Sequence, residues 1–355
     1  MKLSRKALRL SRNYVERRTL DIAALVAVAF ALDLAAAVGL SYVAGFTRVR
    51  AALEAFDPVW VLPVVAGIAV SFVGYYYAYR ETYRAEDGPE LPTQELRAVV
   101  VAGFGGFFAH GATAMDQYAL EGAGADTRDA TVRVGVLGGL EHGTLGLIGT
   151  AAGIAALALA RPAPPLDFQY PWAVIPIPGM LLAFWLADRY RDQLRNRKGL
   201  RAKLGVFLDT IHLIKHMFER PRAHWAGPAG MTIFWLAELA AVWCALAAFG
   251  FFMNGASFAL GYLTGAVFTR RTGPLAGAGV LMLCLPVTIW YSGAPFGTVI
   301  AAVFVVRFLS FWLPLPFSLA SLPTLRRIGQ TRQPSAEGVA QDARGEPAMQ
   351  PRRAS

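Results

Sequence analysis

The sequence predicts an all-α fold: a polytopic transmembrane bundle of about eight membrane helices with Gly-rich re-entrant hairpins and a possible inverted repeat. Three observations support this prediction. Hydrophobic residues make up 55% of the 355 positions and charged residues only 16%, whereas soluble domains carry about 25% charged residues. Several apolar runs reach the roughly 20 residues that a membrane helix needs. Lys and Arg cluster beside these runs, as they do next to membrane spans.

Six apolar runs are long enough to cross a bilayer. They lie near residues 20–43, 59–79, 134–160, 170–187, 229–252 and 295–317. Three other apolar segments are short or are interrupted by Gly and Pro, namely residues 98–115, 256–268 and 275–293. Interrupted segments of this kind are typical of re-entrant or discontinuous membrane helices.

The distribution of basic residues predicts the topology. Residues 1–18 and residues 189–203 each hold seven Lys or Arg, so both segments are expected on the cytoplasmic side of the cell membrane. Five crossings between them would place the second segment outside. If residues 98–115 instead enter the membrane and return, both segments and both termini are cytoplasmic.

The chain divides into a basic cytoplasmic N-terminus (1–18), a membrane domain (19–328) and a tail (329–355). The tail is polar, aperiodic and predicted to be disordered. The membrane domain has halves at about 19–187 and 225–328, joined by a cytoplasmic segment (188–224). Within that segment, residues 204–221 have apolar positions three and four apart and predict an amphipathic interfacial helix. His212 and His216 have the spacing of two metal ligands, but a third ligand is lacking and a solvated face is the simpler interpretation.

The two halves of the membrane domain share a sequence pattern. In each, a Gly-rich segment leads through a Gly-Ala pair into an apolar helix that carries one charged residue, Glu141 in the first half and Arg307 in the second. The charge argument makes these helices run in opposite directions. Inverted repeats of this kind hold their substrate near the midplane between the two units.

Four charged residues fall inside predicted spans: Asp33, Glu141, Glu238 and Arg307. Charges in the bilayer interior are costly and usually face a partner, a cavity or a substrate. We expect Arg307 to pair with Glu141 or Glu238. The alternative is that these groups only fix helix register.

Further polar residues are candidates for a substrate or translocation path. His110 and His142 lie in or beside Gly-rich membrane segments, where a histidine can line a polar cavity or be satisfied by a backbone carbonyl. Asp116 follows the first Gly-rich segment and marks either a cavity mouth or a solvated loop. Arg270 and Arg271 are either topological anchors or ligands for headgroup phosphates.

Three stretches carry a resemblance to a known family. They are GYLTGAVFTRRTGPLAGAGVLM (261–282) with YSGAP (291–295), VVRFLSFWLPLPFSLASLPTLRR (305–327) and the Gly-rich stretch 103–142. They resemble the transmembrane, flippase-like region of the lysylphosphatidylglycerol synthase family and its stand-alone, uncharacterised membrane relatives. The resemblance implies translocation of an aminoacylated lipid and matches Glu141 to the family's helix-borne acidic residue. It departs at Met282, where the family pattern has an acidic residue.

These features favour a translocator that moves a phospholipid or a lipid-linked polar headgroup between leaflets. Because no soluble transferase domain is expected, no aminoacyl transfer is predicted. A structural or regulatory membrane protein is the main alternative. An intramembrane lipid-phosphate enzyme is a weaker one, because the sequence has no Ser/His/Asp set and no HExxH motif. The expected partners are membrane lipids, either anionic or aminoacylated phospholipids or a lipid-linked phosphate. No cofactor or metal is expected. The net charge of +10 does not predict nucleic-acid binding, because the basic residues cluster beside apolar segments.

Overall fold

A computed structural model describes residues 19–104, 113–159, 164–194, 197, 199–267 and 278–330. Within these ranges every regular element is a helix. The first eight are α1 (Thr19–Ala44), α2 (Phe46–Glu54), α3 (Val61–Arg84), α4 (Thr93–Phe104), α5 (Thr113–Gly122), α6 (Thr127–Leu159), α7 (Leu166–Val174) and α8 (Pro176–Leu194). They are followed by α9 (Leu200–Glu219), α10 (Pro221–His224), α11 (Ala226–Ala248), α12 (Gly255–Val267), α13 (Val280–Tyr291), α14 (Phe296–Arg307) and α15 (Leu315–Gln330).

Six segments of the described chain are long and apolar enough to cross a membrane. They are Ala23–Ala44, Pro58–Asp87, Thr127–Leu159, Leu166–Leu194, Ala226–Ala248 and Phe296–Leu325. All six coincide with predicted spans, so the chain has the helices of a multi-pass membrane protein. Two shorter apolar helices, α12 and α13, account for the interrupted segments near 256–293.

The end of the last span differs from the prediction. The sequence predicts that this span ends near residue 317, at its Trp and Pro residues. Instead, α14 continues through a π-helical turn (Phe308–Trp312) and a two-residue turn at Leu313 and Pro314 into α15, which ends at Gln330. Proline at the start of a helix is tolerated because the first turn has no intrahelical partner for its missing N–H.

The centre of the bundle is the close packing of α3 against α11. A Cβ added at Gly74 would lie 2.5 Å from the carbonyl oxygen of Gly230, and one added at Gly230 would lie 2.5 Å from that of Gly74. Paired small residues let two membrane helices approach until their backbones touch. Tyr75, Phe234 and Trp235 flank this contact and are almost completely buried.

At one end of the bundle, the connections between successive long helices meet. The backbone N–H of Asp57 donates to the carbonyl of Ala248 at 2.7 Å, joining the start of α3 to the end of α11. Gly297, at the start of α14, lies against the backbone of Arg48 on α2. The links after α1, α11 and α13 therefore share one end, which we call the first end.

The opposite end is held by Arg133, which is only 4% exposed. Its Nη1 donates to the carbonyls of Tyr83 and Ala85, and its Nε donates to Asp129 at 2.8 Å. A guanidinium in this position satisfies carbonyls that the end of a helix leaves unpaired. We call this end, which includes the C-termini of α3 and α8, the second end.

Helix α9 packs at the second end with two distinct faces. Leu208 and Met217 are buried against the bundle, whereas Leu204, Phe207 and Phe218 are exposed. Ion pairs join its polar side to neighbouring helices: Asp209 accepts from Arg128 and Arg191, and Lys215 bonds to Asp188 at 2.5 Å. The helix is amphipathic, as its periodicity predicts.

Candidate functional site

The two buried charges at the centre of the site are Arg307 and Asp33. The Nε of Arg307 donates to Oδ2 of Asp33 at 2.9 Å, and the side chains are 6% and 4% exposed. The backbone N–H of Gly279 donates to the other carboxylate oxygen at 2.8 Å. The guanidinium carbon also lies 3.7 Å from the centroid of the Phe311 ring, a cation–π geometry.

This geometry corrects the predicted partner of Arg307. The sequence predicts Glu141 or Glu238, because pairing of opposite charges offsets part of the desolvation cost of each. The structure instead brings together the first and last long helices, which places Asp33 against Arg307. Asp33 is accordingly a member of the site.

One guanidinium nitrogen of Arg307 takes no part in the ion pair with Asp33. Its Nη2 is buried and makes no hydrogen bond to any described residue. Arg307 is also the last residue of α14, directly before the π-helical turn Phe308–Trp312. Such π-turns interrupt the regular hydrogen-bond ladder and are frequent at functional sites.

A small cavity of about 70 Å³ connects Arg307 with a second carboxylate, Glu238. Its other polar lining residues are Tyr262 and Ser310, and the remainder of the lining is apolar. The hydroxyl of Ser71 lies 3.0 Å from one oxygen of Glu238 and shares its single hydrogen with the carbonyl of Ile68 at 2.8 Å. Tyr262 donates to the other oxygen of Glu238 at 3.3 Å. Because a water molecule occupies about 30 Å³ in the liquid, the volume suits about two waters.

Three polar residues of α3 extend the site along the helix. Ser71, Tyr75 and Tyr79 are buried and recur every four residues, so they form one stripe. Each donates to a carboxylate from a different helix: Glu238 on α11, Glu141 on α6 at 3.2 Å and Asp116 on α5 at 2.9 Å.

Asp116 is thus a buried member of the polar core. It is 2% exposed, so the alternative of a solvated loop is wrong for this residue. Sequence reasoning missed the tyrosines that hold it and Glu141. Polar residues every four positions along an apolar span were the available signal, because such spacing places them on a single face.

A much larger groove of about 670 Å³ lies on the other side of α6, between α6, α8 and α9. Its lining is mainly apolar, with Phe184, Phe207 and Ile211 among the larger side chains. Glycines of α6 leave room for it, since a Cβ added at Gly138 or Gly143 would meet nothing within 4 Å. Lys203 lines the groove near the start of α9.

His142 is an exposed polar residue that lines this groove. Its Nδ1 lies 2.8 Å from the carbonyl oxygen of Gly138. Because a carbonyl only accepts, Nδ1 carries the hydrogen in this contact and Nε2 is the other available ring nitrogen. Glu141 and His142 are consecutive residues that contact different sites: Glu141 bonds to Tyr75 in the polar core, and His142 lines the groove.

The remaining sequence candidates have the following positions. His110, Arg270 and Arg271 lie outside the described residues. Met282, where the resemblance implies an acidic residue, is completely buried among apolar side chains. Across the described ranges, no group of three or more His, Cys, Asp or Glu side chains is arranged to hold a metal ion.

The fold and the buried charges define a class: a multi-pass helical membrane protein with a polar interior and an apolar groove on its flank. Comparison with protein-family models gave no match, and comparison with curated proteins gave none either.

Proposed function

We propose that this chain is an integral protein of the cell membrane that moves a phospholipid or a lipid-linked polar headgroup between leaflets. The observation that carries the proposal is the groove between α6, α8 and α9, about 670 Å³ in volume. That volume lies within the roughly 300–1,000 Å³ typical of ligand sites. Its apolar lining suits acyl chains.

The length of the groove favours translocation over simple binding. Its lining on α6 runs from Thr131 to Leu147, and 16 residues of helix rise about 24 Å. The hydrocarbon of one leaflet is about 15 Å thick, half of the ~30 Å core. A groove that starts at the second end therefore reaches beyond the midplane.

The polar residues of the groove suit a phosphate-containing headgroup. Lys203 lies at the start of α9, in the strongly basic segment 189–203. Positive charge beside a membrane span favours the cytoplasmic side and attracts anionic headgroups. We therefore assign the second end and both termini to the cytoplasm, with His142 as a polar contact deeper along the path.

Two short helix pairs support re-entrant elements and an inverted repeat. Ser318 of α15 bonds to Val101 on α4, whereas Ile328 of α15 packs against Gly122 at the end of α5. The two contacts are 10 residues apart on α15, which is about 15 Å along the helix axis. The end of α5 is therefore about 15 Å nearer to the second end than Val101 is. On this proposal α4 and α5 enter and return from the cytoplasm.

The second pair, α12 and α13, is the counterpart of α4 and α5 at the opposite end of the bundle. Gly261 packs against Ile289, and Gly265 packs against Leu285, so the two helices run antiparallel. Their outer termini adjoin the links after α11 and before α14, at the first end. Counting these pairs with the six long segments gives the proposed membrane bundle, with one re-entrant hairpin from each side.

The buried charges of the polar core are a second set of proposed translocation residues, on a different side of α6 from the groove. They are Arg307, Glu238, Glu141 and Asp116, and inverted repeats hold substrates near such midplane positions. His110, Arg270 and Arg271 remain proposed contacts of the same path.

The test is a leaflet-accessibility assay in reconstituted vesicles. Fluorescent phosphatidylglycerol, phosphatidylcholine and aminoacylated phosphatidylglycerol are offered to wild type, Gly143→Leu and Gly39→Leu. Both glycines have nothing within 4 Å of a built Cβ, but only Gly143 lines the groove. We expect at least about tenfold slower movement in Gly143→Leu, equivalent to about 1.4 kcal/mol of barrier, and no change in Gly39→Leu.

A structural role is the second candidate, and one observation favours it. Asp33 is already satisfied by Arg307 and by the backbone of Gly279, as in an ion pair that only fixes helix register. If folded wild-type protein moves none of the three lipids, the translocator proposal for phospholipids fails and the structural role is preferred. If both variants move lipid like wild type, the groove is not the path.

A further inference from the structure

The cavity between Arg307 and Glu238 has a property that lipid movement does not explain. Two carboxylates on different helices, Asp33 on α1 and Glu238 on α11, share the surroundings of one guanidinium. The guanidinium bonds to Asp33 through Nε, while its buried Nη2 is without a partner among the described residues. Arg307 and Glu238 both line the small cavity. With all three groups ionised, this trio carries one net negative charge in the membrane interior.

Uncompensated charge in such surroundings is costly, and a carboxylate can remove it by taking up a proton. Asp33 is the less suitable acceptor, because it receives hydrogen bonds from a cation and from the backbone N–H of Gly279. Glu238 receives only neutral hydroxyl donors, Ser71 and Tyr262. Neutral donors stabilise a carboxylate less than a cation does.

We infer that Glu238 is a proton-binding site and that Arg307 changes partner with its protonation. With Glu238 protonated, Arg307 bonds to Asp33. With Glu238 ionised, Nη2 is attracted into the cavity toward Glu238, directly or through the one or two waters that the volume suits. The step forms one O–H bond on Glu238 with a proton taken from water and involves no redox partner.

The surroundings of Glu238 contain other titratable groups that must be separated from it experimentally. Three of them surround the cavity: Tyr262 on α12, Arg307 on α14 and Asp33 on α1. The other two are Tyr75 on α3 and Glu141 on α6, which lie beside the neighbouring turn of α11. Glu141 is the most important of these, because it is a buried carboxyl, whereas Glu238 is partly buried. Its glutamine variant therefore serves as a control.

The helix break beside Arg307 gives this exchange a structural consequence. Arg307 ends α14, and the π-helical turn Phe308–Trp312 follows directly. A side chain at such a junction can move with a change in the local hydrogen-bond ladder. Transfer of Arg307 from α1 toward α11 would weaken the contact between α1 and α14 and strengthen that between α14 and α11.

The experiment is infrared difference spectroscopy of the protein in lipid nanodiscs, titrated from mildly alkaline to acidic buffer. Wild type should gain the carbonyl stretch of a protonated carboxyl. Glu238→Gln should lose most of that gain, whereas Glu141→Gln and the exposed-site variant Glu54→Gln should keep the Glu238 component. If Glu238→Gln retains the full wild-type gain, the inference is overturned.

Asp33→Asn tests the exchange of partners. With Asp33 neutral, Arg307 is released to Glu238, and the Glu238 band should appear about one pH unit lower or more, as for a carboxylate that gains a cation within reach. An unchanged midpoint in folded Asp33→Asn would overturn the exchange. If that variant does not fold, Tyr262→Phe gives an independent test, since losing one donor to the ionised form should shift the band to higher pH.

A sodium series at constant ionic strength identifies the ligand. If Na⁺ suppresses the Glu238 band at fixed pH in wild type, Na⁺ competes with the proton for the carboxylate, and a site specific for the proton is ruled out. Insensitivity to Na⁺ supports the proton. Neither outcome depends on lipid movement, so this inference can fail while the translocator proposal stands, and the reverse also holds.

Discussion

Arg307 and Asp33 are 274 residues apart, and they join the last long helix to the first through a buried hydrogen-bonded ion pair of 2.9 Å. Removing one member of such a pair leaves an uncompensated buried charge, at a cost of about 3–5 kcal/mol. We therefore expect Asp33→Asn and Arg307→Gln each to destabilise the protein strongly. The double variant should be less destabilised than the sum of the two, with a coupling energy above about 1 kcal/mol.

The measurement is the free energy of unfolding in mixed micelles for all four proteins of this cycle. Additive effects would show that the two charges act independently. Arg50→Gln, in the exposed pair with Glu54, is the matched control and should change stability by no more than about 1 kcal/mol.

The tyrosine stripe of α3 gives a second prediction. Tyr79→Phe removes the hydroxyl that bonds to Asp116, and Tyr75→Phe removes the one that bonds to Glu141. Each should lower the free energy of unfolding by about 1–3 kcal/mol, because a hydrogen bond to a buried charged group is lost. Tyr77→Phe, at an exposed position of the same helix, should be nearly neutral. Equal effects at Tyr77 and Tyr79 would contradict the role of the stripe.

The cap that Arg133 places on α3 can be tested by hydrogen exchange. Arg133→Lys keeps the charge but cannot reproduce the planar set of donors to Asp129, Tyr83 and Ala85. We expect faster amide exchange in residues 80–87 and a loss of stability of about 2 kcal/mol. Peptides from α1 should exchange as in wild type. Unchanged exchange at the end of α3 would show that water or another group replaces the cap.

The contact between α3 and α11 predicts opposite results for two similar substitutions. Gly74→Ala puts a Cβ 2.5 Å from the carbonyl oxygen of Gly230, and overpacking of this kind costs about 1–3 kcal/mol. Gly39→Ala on α1 meets nothing within 4 Å and should stabilise the helix by up to about 1 kcal/mol. Thermal unfolding in detergent should move in opposite directions. A stable Gly74→Ala would mean that the helices can separate at little cost.

Two histidines at the second end predict a dependence of stability on pH. Burial lowers the pKa of His212 and of His224 below the ordinary value of 6.5. Nearby carboxylates partly oppose the shift, Glu86 and Asp188 at His212 and Glu81 at His224. The unfolded chain then binds protons more readily than the folded protein below pH 6.5, so stability falls as the pH drops from there toward the folded pKa values. His212→Asn and His224→Asn should flatten this decline.

That prediction is checked by unfolding curves at matched ionic strength across the acidic range. His142→Asn, on the groove side of α6, controls for the loss of an imidazole elsewhere. If the two variants decline with pH as steeply as wild type, other groups, such as the carboxylates, control the acid response.

The long membrane helices could be predicted because their signal is local. Each backbone polar group in lipid must be satisfied within its own segment, so a run of about 20 apolar residues is read one segment at a time. The six spans follow from this rule, and the faces of α9 follow from the periodicity of Leu204, Phe207 and Phe218. The polar character of the interior was also visible, because charges within apolar runs are rare.

The partners of those charges could not be predicted, because they depend on the rotation and depth of helices that are distant in sequence. The approach of α3 to α11 through Gly74 and Gly230 sets one such rotation. This rotation of α3 places Ser71 beside Glu238 and Tyr75 beside Glu141. The packing of α1 against α14 likewise places Asp33 beside Arg307. The sequence by itself determined which segments are membrane helices and which charges they carry, since backbone hydrogen bonding in lipid is a local requirement. Only the tertiary structure decided which charges meet, because side-chain pairing depends on the packing of whole helices against one another.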